Sequence, residues 1–145
     1  MIKTIFIGLI LTLSFDVYSQ GVEGNWKTVD HETGKTESIV KVYIKNNRLY
    51  GDIIKLLTIK PGEKKICKDC PKPWKDKEIL GLTIINGLKK EEDGKWYDED
   101  GIFSPKKKKC YDCRIWVEGN TLYVRAYIGF IFKTQKWIRE TSKKI

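Results

Sequence analysis

YDCRIWVEGNTLYVRAYIGF, residues 111–130, is the stretch that decides the fold. Tyr111, Cys113, Ile115 and Val117 alternate with Asp112, Arg114 and Trp116. Beyond Glu118-Gly119-Asn120, Leu122, Val124, Ala126, Ile128 and Phe130 alternate with Tyr123, Arg125 and Tyr127. Successive side chains of a strand point to opposite faces, so a strict period of two marks a half-buried strand. The Gly-Asn between the two runs is turn chemistry. The reading is a hairpin whose second strand runs from Leu122 to Phe130.

The same grammar extends outward. Ser38–Lys45 places Val40, Val42 and Ile44 on one face. Asn46-Asn47 then tolerates the positive φ of a tight turn, and Arg48–Leu57 returns as the partner strand. Gly51, inside that strand, marks a bend or a close approach of a neighbour. Glu78–Gly87 reads as a short apolar strand. Lys95–Asp98 and Gly101–Ser104 read as two short strands around an acidic turn, and Lys133–Glu140 closes the chain. A first strand begins near Trp26, after Gly24. Eight or nine short strands result, with room for at most a short helix at 60–66 or 86–92. An all-β, up-and-down antiparallel barrel is the expected architecture, because closure removes the exposed strand edges of a sandwich.

The N-terminus bears on the compartment. MIKTIFIGLILTLSFDVYSQ carries Lys3, an apolar run from Ile5 to Phe15, and small residues at Val17 and Ser19. This is the pattern of a secretory signal at 1–19, with cleavage after Ser19. The run is shorter than the roughly 20 residues of a spanning helix, and Asp16 interrupts it. The expectation is export to the periplasm or the medium, with residues 20–145 as one domain and no transmembrane segment in the mature chain. The formal charge is +9, concentrated in Lys60–Lys77 and in the unbroken lysines 106–109. In an exported protein such loops fit an anionic lipid or polysaccharide of the envelope better than nucleic acid.

Four cysteines form two C-x-x-C pairs, Cys67/Cys70 and Cys110/Cys113. Two such pairs raise a zinc site as one alternative. Against it, 39 residues lie between the pairs, and an extended 110–113 segment would send its two thiols to opposite faces. Thioredoxin-like chemistry needs a helix after the pair, and Cys70 is followed by Pro-Lys-Pro. Export favours disulfides. Of the three possible connectivities the local Cys67–Cys70 bridge is preferred, with no metal and no cofactor expected.

Catalysis is the least supported class. The single histidine, His31, lies in the turn DHETGK, and no nucleophile or metalloprotease motif is present. Asp98-Glu99-Asp100-Gly101 lacks the spacing of a calcium loop. No catalytic residue is assigned. Five tryptophans and seven tyrosines remain, for packing or for lining a barrel interior.

Gly24-Asn25-Trp26, Leu49-Tyr50-Gly51, Cys67-Lys-Asp-Cys70, Ile79-Leu80-Gly81-Leu82, Tyr111-Asp112-Cys113, Leu122–Gly129 and Thr134-Gln135-Lys136-Trp137-Ile138-Arg139 together resemble an exported bacterial family known as domain of unknown function 2147. The resemblance implies a lipocalin-like barrel of about eight or nine strands, in which Trp26 packs against Arg139 to close the barrel. It implies no established activity. The expected role is binding of a small apolar or amphipathic ligand in the barrel cavity, with Trp26, Arg125, Tyr127 and Trp137 as candidate lining residues.

Overall fold

Asn46 and Asn47 both adopt positive φ, 50° and 60°, and reverse the chain in two residues so that Lys45 pairs with Arg48. The computed structural model, which describes residues 21–142, repeats this unit round a full circle. Its strands are β1 (Gly24–Val29), β2 (Thr36–Lys45), β3 (Arg48–Leu56), β4 (Thr83–Lys90), β5 (Trp96–Ser104), β6 (Lys109–Glu118), β7 (Thr121–Ile128) and β8 (Ile131–Arg139). Each pairs antiparallel with its successor, and β8 returns to β1, giving a closed eight-stranded barrel. No helix forms among the described residues: 86–90 is strand and 60–66 is loop. The segment expected to be a signal, 1–19, lies outside the described residues.

The expected hairpin at 111–130 forms, paired from Asp112↔Tyr127 to Glu118↔Thr121. Cys113, Ile115, Leu122 and Val124 face inward and are buried. Gly51 is where two neighbours approach. A Cβ there would lie 2.7 Å from Ile85 Cδ1 and 3.1 Å from Val40 Cγ1, so the strand needs a residue without one.

Three expectations are corrected. First, β7 ends at Ile128, not at Phe130. Gly129 takes φ 60° and leads a two-residue turn closed by Ile128↔Ile131, which suits a turn with glycine in its first central position. Second, the strand expected at 78–87 lies at Thr83–Lys90. Gly81, at φ 93°, breaks the extended run, and Ile79 and Leu82 are buried from the loop instead. Third, the acidic segment is no turn: β5 is continuous, with an irregularity between Asp98 and Ile102. Asp100 sits at φ 50° there, and its N–H donates to Asp112 Oδ1 at 2.9 Å.

Ile84 and Ile85 are both buried, at 6% and 0% exposure. Neighbouring strand residues face opposite sides, so the outer face of β4 must be covered too. The β3–β4 loop, residues 57–82, provides the cover. Trp74 donates through Nε1 to the Thr83 carbonyl at 3.1 Å, and its ring stacks on Phe103 with centroids 4.1 Å apart. The loop is pinned by the Cys67–Cys70 disulfide, by Cys67 N–H to the Lys77 carbonyl, and by Ile79 N–H to the Lys65 carbonyl. Both half-cystines are buried in the same cluster as the barrel core.

Candidate functional site

In an up-and-down barrel, the connections that follow odd-numbered strands share one end. Here those are residues 30–35, 57–82, 105–108 and 129–130. The loop at 57–82 holds seven lysines against four acids, and the turn at 105–108 holds Lys106, Lys107 and Lys108 with no acid. The opposite end carries Glu91, Glu92 and Asp93 against Lys95 in its β4–β5 connection. The excess positive charge is therefore gathered at one end.

Two ion pairs tie the connections of that end together: Lys106 Nζ reaches Asp30 Oδ2 at 3.1 Å, and Lys108 reaches Asp69 at 3.8 Å. A third, Lys64 to Glu78 at 3.2 Å, lies within the 57–82 loop. Asp30 is the best-held carboxylate of the group. Its Oδ1 accepts the N–H groups of Thr33 and Glu32 at 2.8 and 2.9 Å, and the Thr33 hydroxyl at 3.2 Å. The Thr33 amide first, then Lys106, hold its pKa far below the usual carboxylate range.

Between the loop and the β5–β6 turn lies a solvent-open concavity of about 670 Å³. Pro71, Pro73 and Trp74 give it an apolar wall; Lys72, Lys108 and Lys109 give it cations; Asn86, Asp100 and Cys110 complete it. Three features of sequence position its parts. The Cys67–Cys70 bridge fixes the loop just before Pro71. Lys108, at φ 55°, turns the chain into β6. Trp74 is held by its stack on Phe103. The Cys110 thiol is pushed up by burial and then by Asp100, so it is a poor nucleophile at neutral pH. Cys113 is fully buried and is pushed up further by desolvation.

The four expected ligand residues do not come together. Trp26 (0% exposed) and Trp137 (2%) lie inside the barrel, with Trp26 Nε1 donating to the Val22 carbonyl and Trp137 Nε1 to Gln135 Oε1. Arg125 and Tyr127 lie on the outer wall. Arg125 stacks over Phe132 at 4.2 Å and Trp116 at 4.9 Å, and donates to Thr134. Tyr127 accepts from Arg114, which also grips both oxygens of Glu91 at 2.8 and 3.1 Å. These two residues serve a ladder of rings and guanidinium groups across β5–β8. The alternation at 122–127 already separates them from the inward set, Leu122 and Val124.

Trp26 and Arg139 do meet. They are register partners, and the guanidinium stands 4.1 Å from the indole. Arg139 also donates to the carbonyls of Glu23 and Gly21, at 3.0 and 2.8 Å. Cys67 and Cys70 form the expected bridge, which leaves Cys110 and Cys113 as the free thiols. The concavity itself was not legible in the sequence. Its signal was the Pro-Lys-Pro-Trp run after Cys70, which reads as a stiff aromatic loop only when β4 is there to receive it.

A closed eight-stranded barrel with a stacked Trp–Arg pair at one end is the architecture of a lipocalin-like protein. The solved structure titled "Protein HP1028 from the human pathogen Helicobacter pylori belongs to the lipocalin family" is similar to this chain, with a TM-score of 0.69 at 20% identity over 83% of this chain and 84% of that one. That likeness is one of fold. The model of the family described as "Uncharacterized protein conserved in bacteria (DUF2147)" matches residues 24–139, and the chain belongs to that family. No curated protein matches the sequence.

Proposed function

We propose that the protein is an exported binding protein that takes a small anionic amphiphile in the concavity beside the disulfide loop. The observation that carries this reading is the pairing, in one open hollow, of an apolar wall at Pro71, Pro73 and Trp74 with cations at Lys72, Lys108 and Lys109. Ligand sites combine apolar lining with a few convergent polar groups. A tail against the indole and an acidic head among the ammonium groups would satisfy both halves. The lipocalin-like fold agrees with small-ligand binding in general. The barrel interior is a poorer host, because its inward positions hold Trp26, Trp96 and Trp137 at no more than 5% exposure. Such a packed lumen leaves a ligand little to replace. The Cys67–Cys70 bridge supports export, since disulfides persist in oxidising compartments.

Titration with 8-anilinonaphthalene-1-sulfonate, an anionic amphiphile, tests the reading. Saturable binding at one site is expected, and Lys72→Glu combined with Lys109→Glu should weaken it about tenfold or more. Neither side chain belongs to an ion pair of the loop, so folding should survive the change. Equal affinity in the variant would move the site elsewhere.

A further inference from the structure

The β7–β8 hairpin ends in the longest exposed apolar segment of the described chain. Ile128 is 50% exposed, Phe130 107%, Ile131 68% and Phe132 51%. A soluble protein scatters exposed apolar residues singly; four within five positions at a hairpin tip mark a contact surface. The tip is no loose strand edge, because the barrel is closed and Ile128 pairs with Ile131. The turn is built to present it. Gly129 takes the positive φ, and Phe130 follows it in the second central position, pointing clear of the barrel.

The end of the barrel decides the occupant. The tip follows an odd-numbered strand, so it shares its end with the lysine-rich 57–82 loop and the turn at 105–108. Lys133 follows the tip directly in β8. A protein partner could cover the apolar tip alone. An anionic, laterally extended surface with an apolar interior meets the tip and the lysines of the same end at once. We infer that this end docks on an anionic lipid bilayer, with Phe130 and Ile131 inserted at the headgroup boundary and the lysines over the phosphates. Insertion of apolar side chains and attraction of basic residues to anionic lipid add in such interfacial binding. Aromatic side chains favour that depth. The inference does not depend on the ligand reading, as no tip residue lines the concavity.

Co-sedimentation of the purified protein with equimolar phosphatidylglycerol–phosphatidylcholine vesicles tests it, with pure phosphatidylcholine vesicles alongside. Binding is expected to the anionic vesicles and to weaken steeply with salt. Phe130→Ser combined with Ile131→Ser, exposed positions that should leave the melting curve nearly unchanged, is expected to weaken binding about tenfold or more. Lys107→Gln should weaken it less, and only at low salt. Vesicle binding that survives the double serine change overturns the inserted tip. Absence of wild-type binding overturns the whole inference. A concentration-dependent dimer abolished by the same double change, without vesicle binding, would assign the tip to a second copy of the chain.

Discussion

Asp30 shows how one side chain can organise a connection. It lies at the end of β1, its backbone N–H and carbonyl bond Lys35 and Gly34, and its carboxylate holds Thr33, Glu32 and Lys106. Its pKa is depressed in the fold, so the unfolded chain binds a proton more readily. The stability it contributes is therefore complete above the unfolded value, about pH 4, and is lost as pH falls below it. Urea denaturation at descending pH should show wild type losing stability faster below about pH 4 than Asp30→Asn, while the variant is the less stable at neutral pH. Parallel curves would mean that Lys106 and the Thr33 amide do not bias the carboxyl. None of this was legible in the sequence, where Asp30 is one acid in a turn beside His31 and its cation partner lies 76 residues away. Legible residues were those whose role is set by local geometry, such as Asn46-Asn47 and the glycine at 51. Arg125 and Tyr127 were misjudged for a different reason. Aromatic and cationic side chains suggest a ligand site, yet here they satisfy each other across neighbouring strands.

At the scale of elements, alternation located β2, β3, β6 and most of β7, because each has a buried face and a wet one. It failed where a second layer covers the outside. β4 carries Ile84 and Ile85 in succession, so its period is lost, and the reading slid forward onto the loop residues Ile79 and Leu82. It failed again at Gly129, where apolar residues continue through a turn into solvent and keep the parity of a strand. The covering loop behaves as a small element with its own staple. Cys67 and Cys70 close a short loop, worth about 2 kcal/mol of chain entropy, and both are buried beneath it. Replacing both by alanine should lower stability by about 2–3 kcal/mol, the entropy plus a small packing loss. Proteolysis should then begin within 57–82 while the barrel strands stay protected. A variant as stable as wild type would show that the loop's place depends on Trp74 alone.

The whole molecule depends on a short seam. β7 and β8 share eight register pairs, whereas β1 and β8 share two, Trp26↔Arg139 and Lys27↔Ile138. One further backbone bond, Glu140 N–H to the Asn25 carbonyl, extends the seam, and Lys27 meets Glu140 at 3.6 Å. A seam this brief would fray without a clamp. Arg139 supplies one by lying over Trp26 and binding the carbonyls of Gly21 and Glu23, so the residues just before β1 are held against the end of β8. Its Nε is buried without a hydrogen-bond partner among the described residues, a local cost that two hydrogen bonds and the indole contact must exceed. Arg139→Met keeps the stem and removes the guanidinium. It should cost about 1–3 kcal/mol, the sum of a cation–π contact and two charged hydrogen bonds less the relief of Nε. Amide exchange should rise at residues 25–27 and 138 and stay unchanged at β2–β3. Arg125→Met, which also removes a guanidinium from aromatic neighbours but on the outer wall, should cost less and leave the seam intact. Equal effects from the two would mean that Arg139 contributes only as a surface cation, and that the barrel closes through backbone pairing alone.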